Sequence, residues 1–289
     1  MLEVEGWNYA NPKQKLVQLL PAVFELKECA MPIRGCLIDL DGTIYSAGTI
    51  IEGAVAAIEQ LRAAGYQLLF LTNTDSQLPA TLAAKLQARD IPIQAHEIMN
   101  PLQAIAEYLS HSEPNLSILA PQSVKTWFEQ QYPPQPDQPV SHVVLAHCGE
   151  VDGYNRLNLA FRQLLDGAEF LVSQPGRNYL SSTGLNLDTG AFAALLEYAS
   201  QTKPTILGKP TKAFFEQALH ALELSAEEVV VVGDDLTTDI VGASNSGMAS
   251  VWLRTGKGQQ QQLTADLPQP TWTLASIAEL PALLAEVNR

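Results

Sequence analysis

Four short apolar runs, Cys36 to Leu40, Gln67 to Leu71, Thr205 to Leu207 and Val229 to Val232, each break off into polar or glycine residues. Continuous apolar runs of this length read as strands buried on both faces, whereas a half-exposed strand would alternate. Between them the period changes to that of helices, as in Ala54 to Ala64 (AVAAIEQLRAA) and Ala213 to Leu222 (AFFEQALHAL). Strand alternating with helix predicts an α/β fold, a Rossmann-like doubly wound sheet that is mostly parallel. More than a hundred residues separate the second and third runs, far more than one crossover requires. That stretch carries its own strand patterns at Leu116 to Leu119, Val143 to Ala146 and Phe170 to Ser173, with helical patterns at Ser123 to Gln131 and Tyr154 to Leu165. A smaller α/β cap domain inserted at 113–185 is therefore expected. Residues 31–112 and 186–289 would form the core, and 1–30 an N-terminal extension.

The chemistry stands at the ends of the four strands. In order these are Asp39-Leu40-Asp41-Gly42-Thr43, Leu71-Thr72-Asn73, Gly208-Lys209-Pro210, and Gly233-Asp234-Asp235 with Asp239 behind it. The C-terminal edge of an open α/β sheet is where ligands bind, so these ends predict one pocket. Asp39 can attack phosphorus and form an aspartyl-phosphate. Asp41 can protonate the leaving oxygen and later deprotonate water. Carboxylates this crowded repel one another and a phosphate, which calls for a divalent cation. Mg²⁺ suits their hard oxygens, with Asp39, the Asp41 carbonyl and Asp234 as ligands and Asp239 or Asp235 steadying its waters. Thr72 and Asn73 would bind phosphoryl oxygens, and Lys209 would cancel remaining charge.

Taken singly, each piece has a plainer reading. Asp-x-Asp-Gly is also a turn, Thr72-Asn73 a helix cap, Gly208-Lys209-Pro210 a strand-to-helix connection, and Asp234-Asp235 a pair of acids favoured by a helix dipole. Four together at four strand ends point to catalysis.

In this order the four motifs resemble the haloacid dehalogenase superfamily of phosphohydrolases, over roughly residues 31–258. The resemblance implies Asp39 as nucleophile, Asp41 as general acid/base, Thr72 and Lys209 as phosphate ligands, and Asp234 with Asp239 as the metal-side acids. An insert at this place resembles the large-cap subfamily of UMP and p-nitrophenyl phosphatases. Phe70-Leu71-Thr72-Asn73, Gly184-Leu185-Asn186-Leu187-Asp188, Leu196-Glu197-Tyr198-Ala199, Gly233-Asp234-Asp235 and Arg254-Thr255-Gly256-Lys257 resemble the phospholysine phosphohistidine inorganic pyrophosphate phosphatases within it. The animal members carry Ser where this chain has Asp41. An ester alkoxide needs an acid to leave, so Asp41 favours ordinary phosphate esters over phosphorus–nitrogen bonds.

The expected function is a Mg²⁺-dependent phosphohydrolase acting on a small phosphorylated metabolite. The alternatives are a phosphoramidate or pyrophosphate phosphatase and a non-catalytic binding protein on the same fold. In the cap, Arg177 in Pro175-Gly176-Arg177-Asn178-Tyr179 is the candidate for a substrate's distal anion. Cys148 beside His147 is no protease dyad, because neighbours along a strand face opposite ways. Neither a P-loop nor a dinucleotide fingerprint occurs.

Composition narrows the partners. At 289 residues and 46% hydrophobic the chain can bury a sizeable core. A net charge of −14 argues against nucleic acid and anionic membrane surfaces. Cys29, Cys36 and Cys148 are odd in number and scattered, which with the absence of a signal-like or membrane-length apolar run suggests the cytoplasm. The resemblance adds a homodimer as an expectation. Leu16 to Leu26 reads as an amphipathic helix interrupted at Pro21, and Met31 offers an alternative translation start.

Overall fold

The structure, a computed structural model, describes residues 31–147, 149, 153–181 and 184–289. The helix expected at Leu16 to Leu26, together with Cys29, Cys148 and Glu150, lies outside them. From Gly35–Asp39 (β1) a small hairpin, Tyr45–Ser46 (β2) and Thr49–Ile50 (β3), leads to Ala54–Ala63 (α1) and Gln67–Leu71 (β4). Pro79–Gln87 (α2), Ile98–Met99 (β5) and Pro101–Leu109 (α3) follow. A second run comprises Leu116–Leu119 (β6), Gln122–Gln131 (α4), His142–Leu145 (β7), Gly153–Leu165 (α5) and Glu169–Val172 (β8). It continues with Asn178–Ser181 (β9), Gly184–Leu187 (β10), Thr189–Ser200 (α6) and Thr205–Ile206 (β11). Lys212–Leu222 (α7), Val229–Gly233 (β12), Val241–Asn245 (α8), Ala249–Leu253 (β13), Trp272–Leu274 (β14) and Leu280–Val287 (α9) complete the described chain.

Six strands form one sheet in the order β14-β13-β12-β1-β4-β5, and every pairing is parallel. From β1 the chain builds outward to β4 and β5, then returns to add β12 on the other side. The order therefore reverses between β1 and β12, the switch point where such sheets open a crevice. Both faces are covered. Leu37, Leu69, Leu71 and Val231 enter one apolar cluster with α3 and α7, while Ile38, Leu68, Phe70, Val230 and Val232 enter another with α1, α2 and α9. Alternate side chains of a strand point to opposite faces, so a strand packed on both sides must be apolar throughout. That is why β1 and β12 read as unbroken apolar runs.

A second, four-stranded parallel sheet has the order β11-β8-β7-β6. One of its faces, through Ile118, Val144 and Leu171, joins the cluster that covers the first sheet. The other packs Val143, Leu145, Phe170 and Val172 with Ala160 and Leu164 of α5 and Leu196 of α6. One strand differs from expectation. The run at Thr205 to Leu207 pairs with β8 and belongs to this sheet, not to the sheet of β1. A two-residue strand carries no local signal of its partner, because pairing is decided by distant residues. Its end still reaches the edge of the first sheet, where Lys209 bonds to Asn73 and Asp39.

The loop after β4 is fixed from below by Asn100, which is fully buried. Its side chain caps α3 by accepting from Leu102 N (3.2 Å) and donates to the carbonyls of Thr74 (3.2 Å) and Gln77 (2.9 Å). Among the described residues, no helix is long and apolar enough to cross a membrane.

Candidate active site

The ends of β1, β4 and β12 bring Asp39, Thr72 and Asp234 to the crevice, and the segment after β11 adds Lys209. Asp39 and Asp234 are buried, as are Asp239 and Lys209. The Lys209 ammonium lies between two acids, 2.5 Å from Asp39 Oδ1 and 2.7 Å from Asp239 Oδ1. Asp39 Oδ2 is buried with no hydrogen-bond partner, and so is Thr43 Oγ1. One oxygen each of Asp39, Asp234 and Asp239 lie within 4.8 Å of one another, close enough for a single cation to touch all three. Asp41 is exposed at the mouth, its backbone bridged to Tyr45.

Two glycines allow this crowding. Gly42 has φ +95°, and a Cβ there would run into the Asp234 carboxylate. At Gly256, with φ +44°, a Cβ would run into the same carboxylate and the Gly42 backbone. Only glycine satisfies both demands, positive φ and close approach. Asp234 is further held by Lys257 N–H donating to Oδ2 (2.6 Å) and by Trp252 Nε1 donating to its carbonyl (2.9 Å). The Thr255 hydroxyl donates to the Gly42 carbonyl (2.5 Å), closing the loop after β13 onto the loop after β1.

The electrostatics follow from burial and crowding. Burial, opposed by Lys209, holds the Asp39 carboxyl above its ordinary range. Burial, then the charges of Asp39 and Asp239, raises Asp234 to about 8. Asp239 is raised to about 7 by burial, with Lys209 opposing and Asp39 adding repulsion. Desolvation at the mouth raises Asp41 as well, against Lys257 and Lys209. Lys209 is raised despite its burial because Asp239 and Asp39 outweigh it. Asp235 goes the other way: burial works against its charge, but Lys257, Gln261 and Thr237 outweigh burial and hold it low.

The structure thus brings Asp39, Lys209, Asp234 and Asp239 together, with Asp239 in direct contact with Lys209. Thr72 stands at the strand end, its Oγ1 donating to Thr74 Oγ1 (2.9 Å). Asn73, expected to bind phosphate, has its amide engaged elsewhere. Its Nδ2 donates to the Lys209 carbonyl (3.0 Å) and its Oδ1 accepts from Lys209 N (2.9 Å). Asp235 turns away toward Lys257 Nζ (2.7 Å), Gln261 Nε2 (2.8 Å) and Thr237. Arg177 is exposed in the loop between β8 and β9 and is not among the groups at the cluster. The sequence motifs carry no role for Lys257, Thr255 or Asp75. A glycine-lysine pair just after an apolar run was the available signal for Lys257. Asp75, buried three residues beyond Thr72, gave none.

A sequence model described as haloacid dehalogenase-like hydrolase matches residues 36–130, and a second hydrolase-like model of that group matches 206–280. The chain is 33% identical over 244 residues to haloacid dehalogenase-like hydrolase domain-containing protein 2 of Bos taurus, covering 84% of this chain and 93% of that protein. It is 33% identical over 231 residues to the phospholysine phosphohistidine inorganic pyrophosphate phosphatase of Homo sapiens, covering 78% and 84%. A crystal structure of a thermostable NPPase from Geobacillus stearothermophilus superposes with TM-score 0.77 at 28% identity, over 85% of this chain and 96% of that one. The p-nitrophenyl phosphatase from Archaeoglobus fulgidus gives TM-score 0.80 at 21% identity, over 88% and 100%, a likeness of fold.

Proposed function

The chain belongs to the haloacid dehalogenase-like hydrolase family, and we propose that it is a Mg²⁺-dependent phosphatase removing phosphate from a small phosphorylated metabolite through a phosphoryl group carried on Asp39. The observation that supports this most is the state of the Asp39 carboxylate. It is buried, with one oxygen fixed by Lys209 and the other left without a partner at the switch point of the sheet. A carboxylate so placed is an aimed nucleophile.

The donor set fits Mg²⁺. Asp39, Asp234 and Asp239 offer hard oxygens within reach of one ion, and Lys209 and Lys257 leave the acids Asp39, Asp41, Asp234, Asp235 and Asp239 in excess. Asp39 and Asp234 would hold the ion, with Asp239 beside them. When bound it would neutralise the carboxylates and the phosphate and polarise the phosphoryl oxygens.

The protein's own groups supply the rest. Lys209, locked in its charged form, binds phosphoryl oxygen and orients Asp39. Asn73 positions Lys209 by clasping its backbone. Thr72 turns its hydroxyl to a phosphoryl oxygen. Asp41 would give a proton to the leaving oxygen and then accept one from the water that attacks the phosphorylated Asp39. The four-stranded sheet is the inserted unit in this reading. Its span runs past 185 to Ile206, because α6 and β11 pack with it. Arg177 remains our candidate there for a substrate's distal anion. The homodimer is retained as a proposal, since Leu185, Leu187, Leu195 and Tyr198 are exposed on β10 and α6.

The human relative's name supports a second reading, with phosphoramidates or pyrophosphate as substrates. Phosphate release from sugar phosphates, nucleotides, phosphoglycolate, p-nitrophenyl phosphate, pyrophosphate and a phosphoramidate, each with Mg²⁺ and with EDTA, tests both. Metal-dependent release from esters is the expected result. Silence on every compound would overturn the phosphatase reading, and preference for the phosphoramidate would replace the ester reading with the second.

A further inference from the structure

We propose that Asp75 is a positioning residue that locks the four-stranded sheet onto the phosphate-binding loop and so sets where the substrate's leaving group is held. This rests on the phosphatase reading. Asp75 belongs to the loop after β4, yet the groups that meet its side chain come from the other sheet. Ser173, just past β8, donates its hydroxyl to Asp75 Oδ2 at 2.5 Å. Thr189, the first residue of α6, donates to the same oxygen at 2.6 Å. His147, just past β7, places Nδ1 3.9 Å from Oδ1 and packs edge-to-face on Tyr179 of β9. Three elements of one sheet therefore converge on one carboxylate of the other.

Burying a carboxylate is costly unless hydrogen bonds compensate it. At Asp75 burial raises the carboxyl, while Ser173 and Thr189 oppose the shift. Asp188 adds a like charge beside it. The compensation lasts only while the second sheet stays seated, since both hydroxyls belong to it. An apolar side chain at 75 would fill the space without this dependence, so the acid makes the seat specific.

The same place also meets the segment that carries Lys209. Gly208 packs against the Ser173 carbonyl so closely that a Cβ would collide with it. Lys209, its neighbour, is clasped by Asn73, two residues before Asp75. Ser173 thus contacts both Asp75 and the segment that delivers Lys209. Among the described residues, two other side-chain hydrogen bonds join the two halves, Tyr132 to the Ala106 carbonyl and Tyr108 to Glu169, both at α3. Asp75 makes the contact on the pocket side.

The test compares Asp75→Ala with the double variant Ser173→Ala/Thr189→Ala, which removes the same hydrogen bonds from the opposite side and keeps the acid. Asp75→Asn, which still offers an acceptor, is the conservative control. With p-nitrophenyl phosphate, both disruptive variants should lose about tenfold in kcat/KM, the scale of a misplaced reacting group. The inhibition constant of inorganic phosphate, which has no leaving group, should stay within about twofold, and Asp75→Asn should recover most of the loss. Parallel loss of both constants, or unchanged kcat/KM in both variants, would overturn the proposal. Should the wild type release nothing from any ester, the phosphatase reading fails, and hydrogen exchange then judges the lock alone. Faster exchange at 73–78 and 173–176 in both variants would support it, and unchanged exchange would refute it.

Discussion

Replacing Asp234 with Asn should flatten the pH dependence of stability of the metal-free protein between pH 6 and pH 8. Burial with the charges of Asp39 and Asp239 holds Asp234 up to about 8, and burial, opposed by Lys209, holds Asp239 up to about 7, against an ordinary 3.8. At pH 6 the folded protein keeps both protons that the unfolded chain has released, and it gives them up successively as pH rises to 8. Folding then takes up protons, so stability falls as pH rises. One proton retained costs about 1.4 kcal/mol per pH unit, and two adjacent carboxylates titrate as a pair, so the fall from pH 6 to pH 8 should be roughly 2–4 kcal/mol. In a chain of this size that is a drop in Tm of about 3–7 °C. Scanning calorimetry in EDTA at pH 6, 7 and 8 measures it. Asp234→Asn, neutral throughout, should lose at least half of the slope and exceed the wild type in Tm at pH 8. Mg²⁺ competes with the retained protons, so it should raise the wild-type Tm more at pH 8 than at pH 6. A wild-type Tm that is flat or rises over this range, or an unchanged slope in the variant, would refute the reasoning.

Lys209→Met keeps the length of the side chain but removes the charge held 2.5 Å from Asp39 and 2.7 Å from Asp239. We expect kcat to fall by about 10²–10³-fold and metal-free stability by about 3 kcal/mol, read by steady-state kinetics and urea unfolding; wild-type turnover would sink the assignment. Gly42→Ala must adopt φ near +95° and drive its methyl group into the Asp234 carboxylate. Titration calorimetry should show Mg²⁺ binding weakened by about tenfold or more, and unaltered affinity would show that the carboxylate does not hold the ion. Arg177→Ala should change KM unequally across the substrate panel, whereas a uniform small change would make it a bystander.

The first sheet was legible because its strands are buried on both faces. β4 spans Gln67–Leu71 as read from the sequence, and β1 and β12 are each displaced by one residue or less at either end. The acids that gather at the crevice were legible because turn-forming residues at strand ends stand out against such runs. Three things were not. β11 joined the other sheet, since two residues cannot announce a distant partner. Asn73 sits in a motif read as phosphate-binding, and only the fold shows its amide already committed to the Lys209 backbone. Asp75 looks like any polar loop residue until Ser173 and Thr189, about a hundred positions away in sequence, are seen to close over it. In each case the missing information is a long-range contact.

In the proposed mechanism Asp39 carries the phosphoryl group. Acid-quenching the enzyme during turnover of a good ester substrate, then mapping peptides by mass after borohydride reduction, tests it most directly. A phosphoryl adduct, reduced to homoserine, is expected at Asp39 alone, absent in EDTA and in Asp39→Asn. Turnover with no adduct at Asp39 under any quench, or Asp39→Asn retaining appreciable activity, would contradict it.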